Sequence, residues 1–190
     1  MESMPPMLAY TIYGSIHSGS IPSIAVGQGP GKQRLRPDAP ADDSYWIVIL
    51  DGNDPKKKVH EFIVPGQNNT AVPAGLDTYM SNPGYIFAVV TQYLSTLNVP
   101  QGPFYDYLAK YGAGRELQRL EQINTSLGCG YITRMSYLLT GQCGPRGTYP
   151  PPSYELGSTL QSVLLLMSLM PRPDGKPPYA ICDSNTFLKG

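Results

Sequence analysis

The sequence predicts an α/β (α+β) fold: a mixed β-sheet with packed helices, in a single core domain with extended N- and C-terminal arms. Two apolar runs, at residues 45–51 and 84–93, have the composition of strands that are buried on both faces. Residues 115–127 repeat leucine and isoleucine at the 3.6-residue period of an amphipathic helix. The 190 residues include 20 glycines and 20 prolines, and runs of these residues on either side of the core indicate arms.

The N-terminal arm is predicted over residues 1–43. Residues 8–16 are rich in aromatic and β-branched side chains, which predicts a strand that pairs with an edge of this chain's own sheet or of a neighbour's. The Gly-, Ser- and Pro-rich stretch that follows predicts an extended loop, and residues 36–40 a linker. Ordering such an arm costs roughly 1–2 kcal/mol of backbone entropy per residue, so we expect partner subunits to hold it in place.

The core is predicted over residues 44–147 and opens with a β-hairpin. Its strands are the apolar run at residues 45–51 and the segment at residues 59–64, and a Gly-Asn-Asp-Pro turn lies between them. We expect a short helix at residues 71–81, before the second buried strand begins.

Two helices and a closing strand complete the predicted core. A proline opens the first helix, at residues 103–111, and Gly128 ends the second, at residues 115–127. The closing strand is expected at residues 136–140. This order of elements predicts a mixed sheet with helices packed on it.

The last segment, residues 148–190, is predicted as a Pro-rich stretch, an apolar helix and a C-terminal arm. The helix is expected at residues 154–170, and Pro171 ends it. From Val163 onward the residues are apolar nearly all round, and such a helix must be covered on more than one side.

Short motifs of the core occur in the same order as in a known family. A G-Y-I-F-A-V-V strand precedes a helix that leads to Leu-Gly, and the closing strand lies in R-M-S-Y-L-L-T-G-Q-C-G-P-R-G. In these motifs the core resembles the interleukin-like epithelial–mesenchymal-transition inducer (ILEI, or GG) domain, with corresponding residues at Gly84, Gly128, Arg134, Ser136, Tyr137 and Gly141. Residues 100–114 form an insertion relative to these motifs.

The resemblance implies an α/β core that is not used for catalysis. Members of the family include secreted signalling proteins and a sugar-recognising stem domain of a glycosyltransferase, and similar domains are present in phage proteins. Met135 and Arg146 stand where the family has an acidic residue and a lysine. The resemblance therefore implies either a structural role in a phage particle or recognition of a sugar.

Composition and charge argue against several classes of protein. The formal net charge is zero and the basic runs are short, so we expect no general nucleic-acid binding. The most apolar stretch, residues 162–170, has about half the length needed to cross a bilayer, so we expect no membrane span. The first ten residues lack the basic and apolar regions of a secretory signal.

We expect no catalytic site, no metal site and no cofactor. The chain has two histidines and lacks the C-x-x-C, H-E-x-x-H and G-x-S-x-G motifs. Cys129, Cys143 and Cys182 are too few and too widely spaced for a disulfide framework, although one pair could form a bridge.

The composition favours a structural component of a large assembly, held to its neighbours by the arms. Charged residues make up 15% of the chain and there are 14 tyrosines, which fits a surface largely covered by partners. We expect a bacteriophage virion with this chain as a capsid decoration or tail protein; the host-cell cytoplasm before assembly is the alternative location. Its partners would be other subunits of the same particle, in homo-oligomers and with other proteins. The expected interface residues are Leu8, Tyr10, Ile12, Tyr13, Val163, Leu166 and Met170.

The alternative function is a carbohydrate-binding module involved in surface or host recognition. It follows from the family resemblance and from the tyrosines, whose rings can stack on a sugar. The expected glycan-binding residues are Tyr131, Arg134 and Tyr137.

Overall fold

Two β-sheets and a layer of helices make up the fold. The computed structural model describes residues 7–127, 133–147, 151–172 and 178–182. Within these ranges the chain forms eleven β-strands and three α-helices. The α+β class predicted from the sequence is therefore confirmed.

One sheet, the outer sheet, joins the two ends of the chain. Its five strands are β1 (Leu8–Gly14), β2 (Ser23–Val26), β3 (Gln33–Leu35), β10 (Val163–Met170) and β11 (Ala180–Cys182). Their order across the sheet is β11-β10-β1-β2-β3, and each pair is antiparallel. The N-terminal strand β1 thus lies in the middle of this sheet.

The other sheet, the central sheet, contains the strands of the predicted core. These are β4 (Ser44–Asp51), β5 (Lys58–Pro65), β6 (Tyr85–Gln92), β7 (Leu94–Ser95), β8 (Arg134–Gln142) and β9 (Ser153–Ser158). β4 pairs with β5 and β6, and β8 pairs with β6, β7 and β9, so β5 and β9 form the two edges. The predicted hairpin of β4 and β5 and the predicted closing strand β8 are confirmed.

The three helices cover one face of the central sheet. They are α1 (Leu76–Met80), α2 (Gly102–Lys110) and α3 (Arg115–Leu127). The bounds of α3 are those predicted, and α2 begins one residue earlier than predicted. α1 is shorter than the predicted helix because Gly75 at its N-terminal end is left-handed, with a φ of 82°, which stops the helix there.

The central sheet is buried on both faces because the outer sheet covers the face opposite the helices. Ile47 of β4 lies in the apolar cluster between this sheet and the helices, and the next residue, Val48, lies in the cluster between the two sheets. Both are fully buried, and the same alternation runs along β6. The prediction that these two runs are strands covered on both sides is confirmed.

The prediction that residues 1–43 form an extended arm is wrong for residues 8–35. Tyr10 and Ile12 of β1 are fully buried between the sheets, and the Tyr10 hydroxyl lies 3.0 Å from Oγ1 of Thr140 on β8. The glycines and serines of this segment form short connections between strands, and the strands bury an alternating apolar face. The C-terminal arm prediction is also wrong for residues 178–182, where β11 pairs with β10.

The prediction of an apolar helix at residues 154–170 is also wrong, since this segment forms β9 and β10. The Ser158 hydroxyl accepts hydrogen bonds from the amides of Leu160 at 3.1 Å and Gln161 at 3.2 Å, which shapes the turn between them. A short apolar run fits a buried helix or a buried strand equally well by composition. Here the segment is a strand because β10 pairs with the whole length of β1, and this tertiary contact overrides the local preference.

Candidate functional site

The outer sheet exposes apolar side chains on the face that points away from the core. In β10, Val163, Met167 and Leu169 are buried between the sheets, whereas Leu164 and Leu166 are 53% and 63% exposed. Their cross-strand partners on β1 are Tyr13 for Leu164 and Thr11 for Leu166. We call the set Tyr13, Leu164, Leu166 and Met170 the apolar outer face.

The predicted interface residues divide between this face and the core. Tyr13, Leu166 and Met170 belong to the apolar outer face. The prediction is wrong for Tyr10, Ile12 and Val163, because strand alternation turns them inward. Tyr10, Ile12 and Val163 are buried between the sheets, and Leu8 is half-buried against the same cluster. Sequence reasoning missed Leu164, which an alternating interpretation of the β10 run would have identified.

The three predicted sugar-binding residues do not form one site. Tyr137 is fully buried, and its hydroxyl donates a hydrogen bond to Glu155 Oε2 at 2.9 Å, so the prediction is wrong for this residue. Tyr131 lies outside the described residues. Arg134 is at the surface, where its guanidinium lies 4.2 Å from the centre of the Tyr93 ring and 3.8 Å from Asp43 Oδ1. Arg134 therefore covers one face of the nearest tyrosine ring.

A polar cluster surrounds Arg134 and contains both non-glycine residues with a positive φ among those described, Asp43 at 56° and Tyr93 at 47°. Asp43 Oδ1 accepts a hydrogen bond from the Ser95 amide at 2.7 Å, and Oδ2 accepts one from Asn98 Nδ2 at 2.8 Å. The chain's own donors therefore occupy both oxygens, and the strained backbone fixes the connection into β4.

The neighbouring carboxylate, Asp42, connects the loop after β1 to the central sheet. It accepts hydrogen bonds from the Ser18 hydroxyl and the Gly19 amide, and from Gln92 Nε2 at 3.1 Å. These bonds, that from Ser18 foremost, hold the pKa of Asp42 below its ordinary value. A carboxylate with these partners joins two parts of the fold and is poorly suited to act as a general acid or base.

A cavity of about 440 Å³ lies between the start of α2 and the exposed side of α3. Most of the side chains around it are polar and uncharged. The lining residues are Pro100, Gln101, Gly102, Tyr105, Gln118, Glu121 and Gln122. We call this cavity the amide cleft. Sequence reasoning missed it, although Gln118 and Gln122 are four residues apart on a predicted helix and therefore share a face.

A second cavity, of about 330 Å³, adjoins the amide cleft and shares Gln118 and Gln122 with it. Its other lining residues are Arg115, Glu116 and Arg119. Arg119 donates hydrogen bonds to Glu116 Oε2 at 2.9 Å and to the Gly157 carbonyl at 2.8 Å. The row of two glutamines therefore lies between a cavity whose charged lining residue is Glu121 and one lined by Arg115, Glu116 and Arg119.

Cys143 does not have the character of a catalytic thiol. Cys143 is buried beside Met80, and burial raises the pKa of its thiol to about 12, so it is protonated at neutral pH. Cys143 forms no disulfide bond, and Cys129 lies outside the described residues. In the described ranges, no three His, Cys, Asp or Glu side chains lie close enough together to hold a metal ion.

The helices are too short or too polar to cross a bilayer in the part of the chain that the structure describes. A comparison with protein-family models and one with curated proteins both found no match to this chain. The resemblance of the core to the ILEI domain therefore stays a prediction.

Proposed function

We propose that this protein is a non-catalytic structural subunit of a larger assembly, and that copies of the chain associate through the apolar outer face. The observation that carries the proposal is the exposure of Leu164 and Leu166 on β10. An antiparallel strand with one face in water usually alternates apolar and polar residues. The face of β10 that points to water departs from this pattern, because it carries Leu164, Leu166 and Met170, with Ser168 as its polar residue.

The composition of β10 is therefore that of a strand covered on both sides. Fully burying a leucine contributes about 1.5–3 kcal/mol, so covering the exposed parts of Leu164 and Leu166 contributes about 1 kcal/mol each. In a symmetric contact each residue occurs twice, and four leucines contribute about 4 kcal/mol, or about a thousandfold in affinity. The four leucines thus supply part of the affinity of such a contact, and the rest must come from the other side chains of the apolar outer face.

A bacteriophage virion, with this chain as a capsid decoration or tail protein, is the assembly that we propose. The low content of charged residues and the 14 tyrosines support it, because both favour a surface covered by neighbours. The segments at residues 8–35 and 178–182 add no support, since they complete the chain's own outer sheet.

Sedimentation velocity over a range of protein concentrations tests the proposed self-association. We expect the wild-type chain to associate as its concentration rises from about 1 µM to about 1 mM. The change Leu166→Glu places a charge in the contact, and we expect it to weaken association by at least about tenfold. The Leu164→Glu variant should behave in the same way.

The matched control is Leu97→Glu. Leu97 is also a partly exposed leucine, at 45%, but it lies in a short 3-10 turn before α2 and outside the outer sheet. We expect this variant to associate like the wild type. A wild-type chain that stays monomeric at the highest concentration would overturn the proposal, as would equal effects of Leu97→Glu and Leu166→Glu.

A further inference from the structure

We propose that the surface formed by the basic runs at residues 32–36 and 56–58 binds the phosphate backbone of double-stranded DNA. The expectation of no general nucleic-acid binding considered each short run alone, whereas the fold brings the two together. The first run lies at the β3 edge of the outer sheet, and β1 and β2 separate it from Leu164 and Leu166 on β10. This surface is therefore distinct from the one proposed for self-association.

The two basic runs meet at two points. At one of them, a Cβ atom added to Gly27 would lie 3.1 Å from Cε of Lys56, and one added to Gly31 would lie 3.6 Å from Nζ of the same lysine. Gly27 has a φ of 93°, so this loop requires glycine and leaves room for the Lys56 side chain to cross it. At the other point, Lys58 Nζ lies 2.6 Å from Asp38 Oδ1. The first run lies between these points and therefore runs beside the second.

The first argument is the alternation of side chains in the first run. Lys32 and β3 are extended, and Pro37 favours an extended Arg36, so every second side chain points to the same side. Leu35 packs into the cluster between the two sheets, whereas Lys32, Arg34 and Arg36 are exposed. These three cations form a row about 13 Å long, beside which one DNA strand presents roughly four phosphates. We call this row together with Lys56 the basic strip.

The second argument is the lack of counter-charges. Among the described residues, no carboxylate forms an ion pair with a cation of the basic strip. Lys58 differs from them, because it pairs with Asp38 and with Glu61 Oε2 at 2.9 Å. The acidic residue nearest to Lys56 in the chain is Asp54, whose Oδ1 atom accepts a hydrogen bond from the Lys56 amide at 3.3 Å. A polyanion can therefore bind the strip without displacing an ion pair.

The third argument is the kind of side chain in the strip. Arg34 and Arg36 each carry a planar guanidinium group, which can donate two parallel hydrogen bonds to one phosphate. Residues 27–36 and 52–58 contain no aromatic side chain, whereas proteins that bind single strands stack the bases on aromatic rings. A duplex, whose bases stay stacked and whose phosphates lie outside, is therefore the nucleic acid that this surface fits.

Fluorescence anisotropy of a labelled DNA duplex, titrated with the full wild-type chain, is the first test. We expect a Kd of about 100 µM or tighter at about 50 mM salt. Four phosphate contacts predict a slope of about −3.6 for log affinity against log salt concentration, so binding should weaken roughly 100-fold between about 50 and about 200 mM salt. Duplexes of different sequence should bind alike, because phosphate contacts carry no sequence information.

Variants then assign the contact. We expect the double change Arg34→Ala and Arg36→Ala to weaken binding at about 50 mM salt by at least about tenfold and to change the slope from about −3.6 to about −1.8. The double change Arg34→Lys and Arg36→Lys should keep the slope, because it keeps both charges. Arg115→Ala is the matched control and should bind like the wild type. Arg115 is also exposed and has no carboxylate partner among the described residues, but it lies on α3, across the central sheet from the basic strip.

Several outcomes would overturn this inference. They are a duplex that stays unbound at the lowest salt concentration, an unchanged slope in the double alanine variant, and an equal loss of binding in Arg115→Ala. Tighter binding of poly-glutamate or of phosphatidylserine vesicles than of the duplex would do the same. The assembly proposal is judged separately, because Leu166→Glu should weaken association and leave the salt slope of DNA binding unchanged.

Discussion

The Tyr137 hydroxyl donates a hydrogen bond to Glu155 Oε2, and the two oxygens are 2.9 Å apart. The same carboxylate accepts hydrogen bonds from the amides of Glu116 at 2.9 Å and Leu117 at 3.4 Å, in the first turn of α3. Glu155 of β9 is therefore the N-terminal cap of a helix that is distant in sequence. Burial, aided by the negative charge of Glu155, raises the pKa of Tyr137 well above its ordinary value.

Removing this cap should destabilise the protein. We expect Glu155→Ala to lower the free energy of unfolding by about 2 kcal/mol, because three hydrogen-bond donors lose their acceptor. Glu155→Gln should cost less, because its amide oxygen still accepts. Urea denaturation measures both, and Asp106→Ala on the exposed side of α2 should change the value by no more than about 0.5 kcal/mol. A similar loss in the Asp106 variant would contradict the capping role.

Two adjacent residues of β1 test whether the N-terminal segment is part of the core. Ile12 is fully buried between the sheets, so Ile12→Ala should lower the free energy of unfolding by about 3 kcal/mol. Thr11 lies on the opposite side of the same strand, and Thr11→Ala should cost about 1 kcal/mol or less. Equal and small losses in thermal or urea unfolding would mean that this segment does not pack on the central sheet.

Cys143 should make the protein less stable at alkaline pH. Burial raises the pKa of its thiol from the ordinary 9.0 to about 12, so between these values the unfolded chain loses a proton that the folded chain keeps. The stabilising contribution is complete below pH 9.0 and is lost as the pH rises toward about 12. Urea midpoints measured across this window should fall, and Cys143→Ala should reduce the slope. An unchanged slope in that variant would contradict the prediction.

The cost of replacing Asp43 should depend on whether the new residue tolerates a positive φ and on whether it can accept hydrogen bonds. Alanine tolerates a φ of 56° poorly and cannot accept from Ser95 or Asn98, so Asp43→Ala should cost about 2–3 kcal/mol. Asparagine tolerates this conformation and keeps an acceptor, so Asp43→Asn should cost about 1 kcal/mol or less. Denaturant unfolding compares the two variants, and equal losses would show that backbone conformation is not limiting.

The central sheet and α3 could be predicted from the sequence because their signals are local. From Tyr45 to Leu50 the run in β4 is apolar at every position, and the Gly-Asn-Asp-Pro turn that follows it favours a short buried strand over a helix. The leucines of α3 follow one period without interruption. The class of fold followed from these elements alone.

The outer sheet could not be predicted in the same way, because its pairing joins the two ends of the chain. Val163 to Met170 fits a buried helix by composition, and its strand state depends on β1 as partner. The same holds for the cap of α3, since nothing near Glu155 in the sequence indicates Arg115–Leu127. The amide cleft also needs two segments to meet, so only one of its sides was visible in the sequence.

Because β1 lies between β2 and β10, the outer sheet can be completed only late in translation. A ribosome releases β1 first and β10 among the last strands, so β1 has one permanent neighbour, β2, during most of translation. Until β10 emerges, one edge of β1 and the part of the central sheet that β10 covers stay exposed, which slows folding and invites wrong pairing between nascent chains. We expect ribosome-bound chains stalled before residue 163 to bind a chaperone and released full-length chains not to.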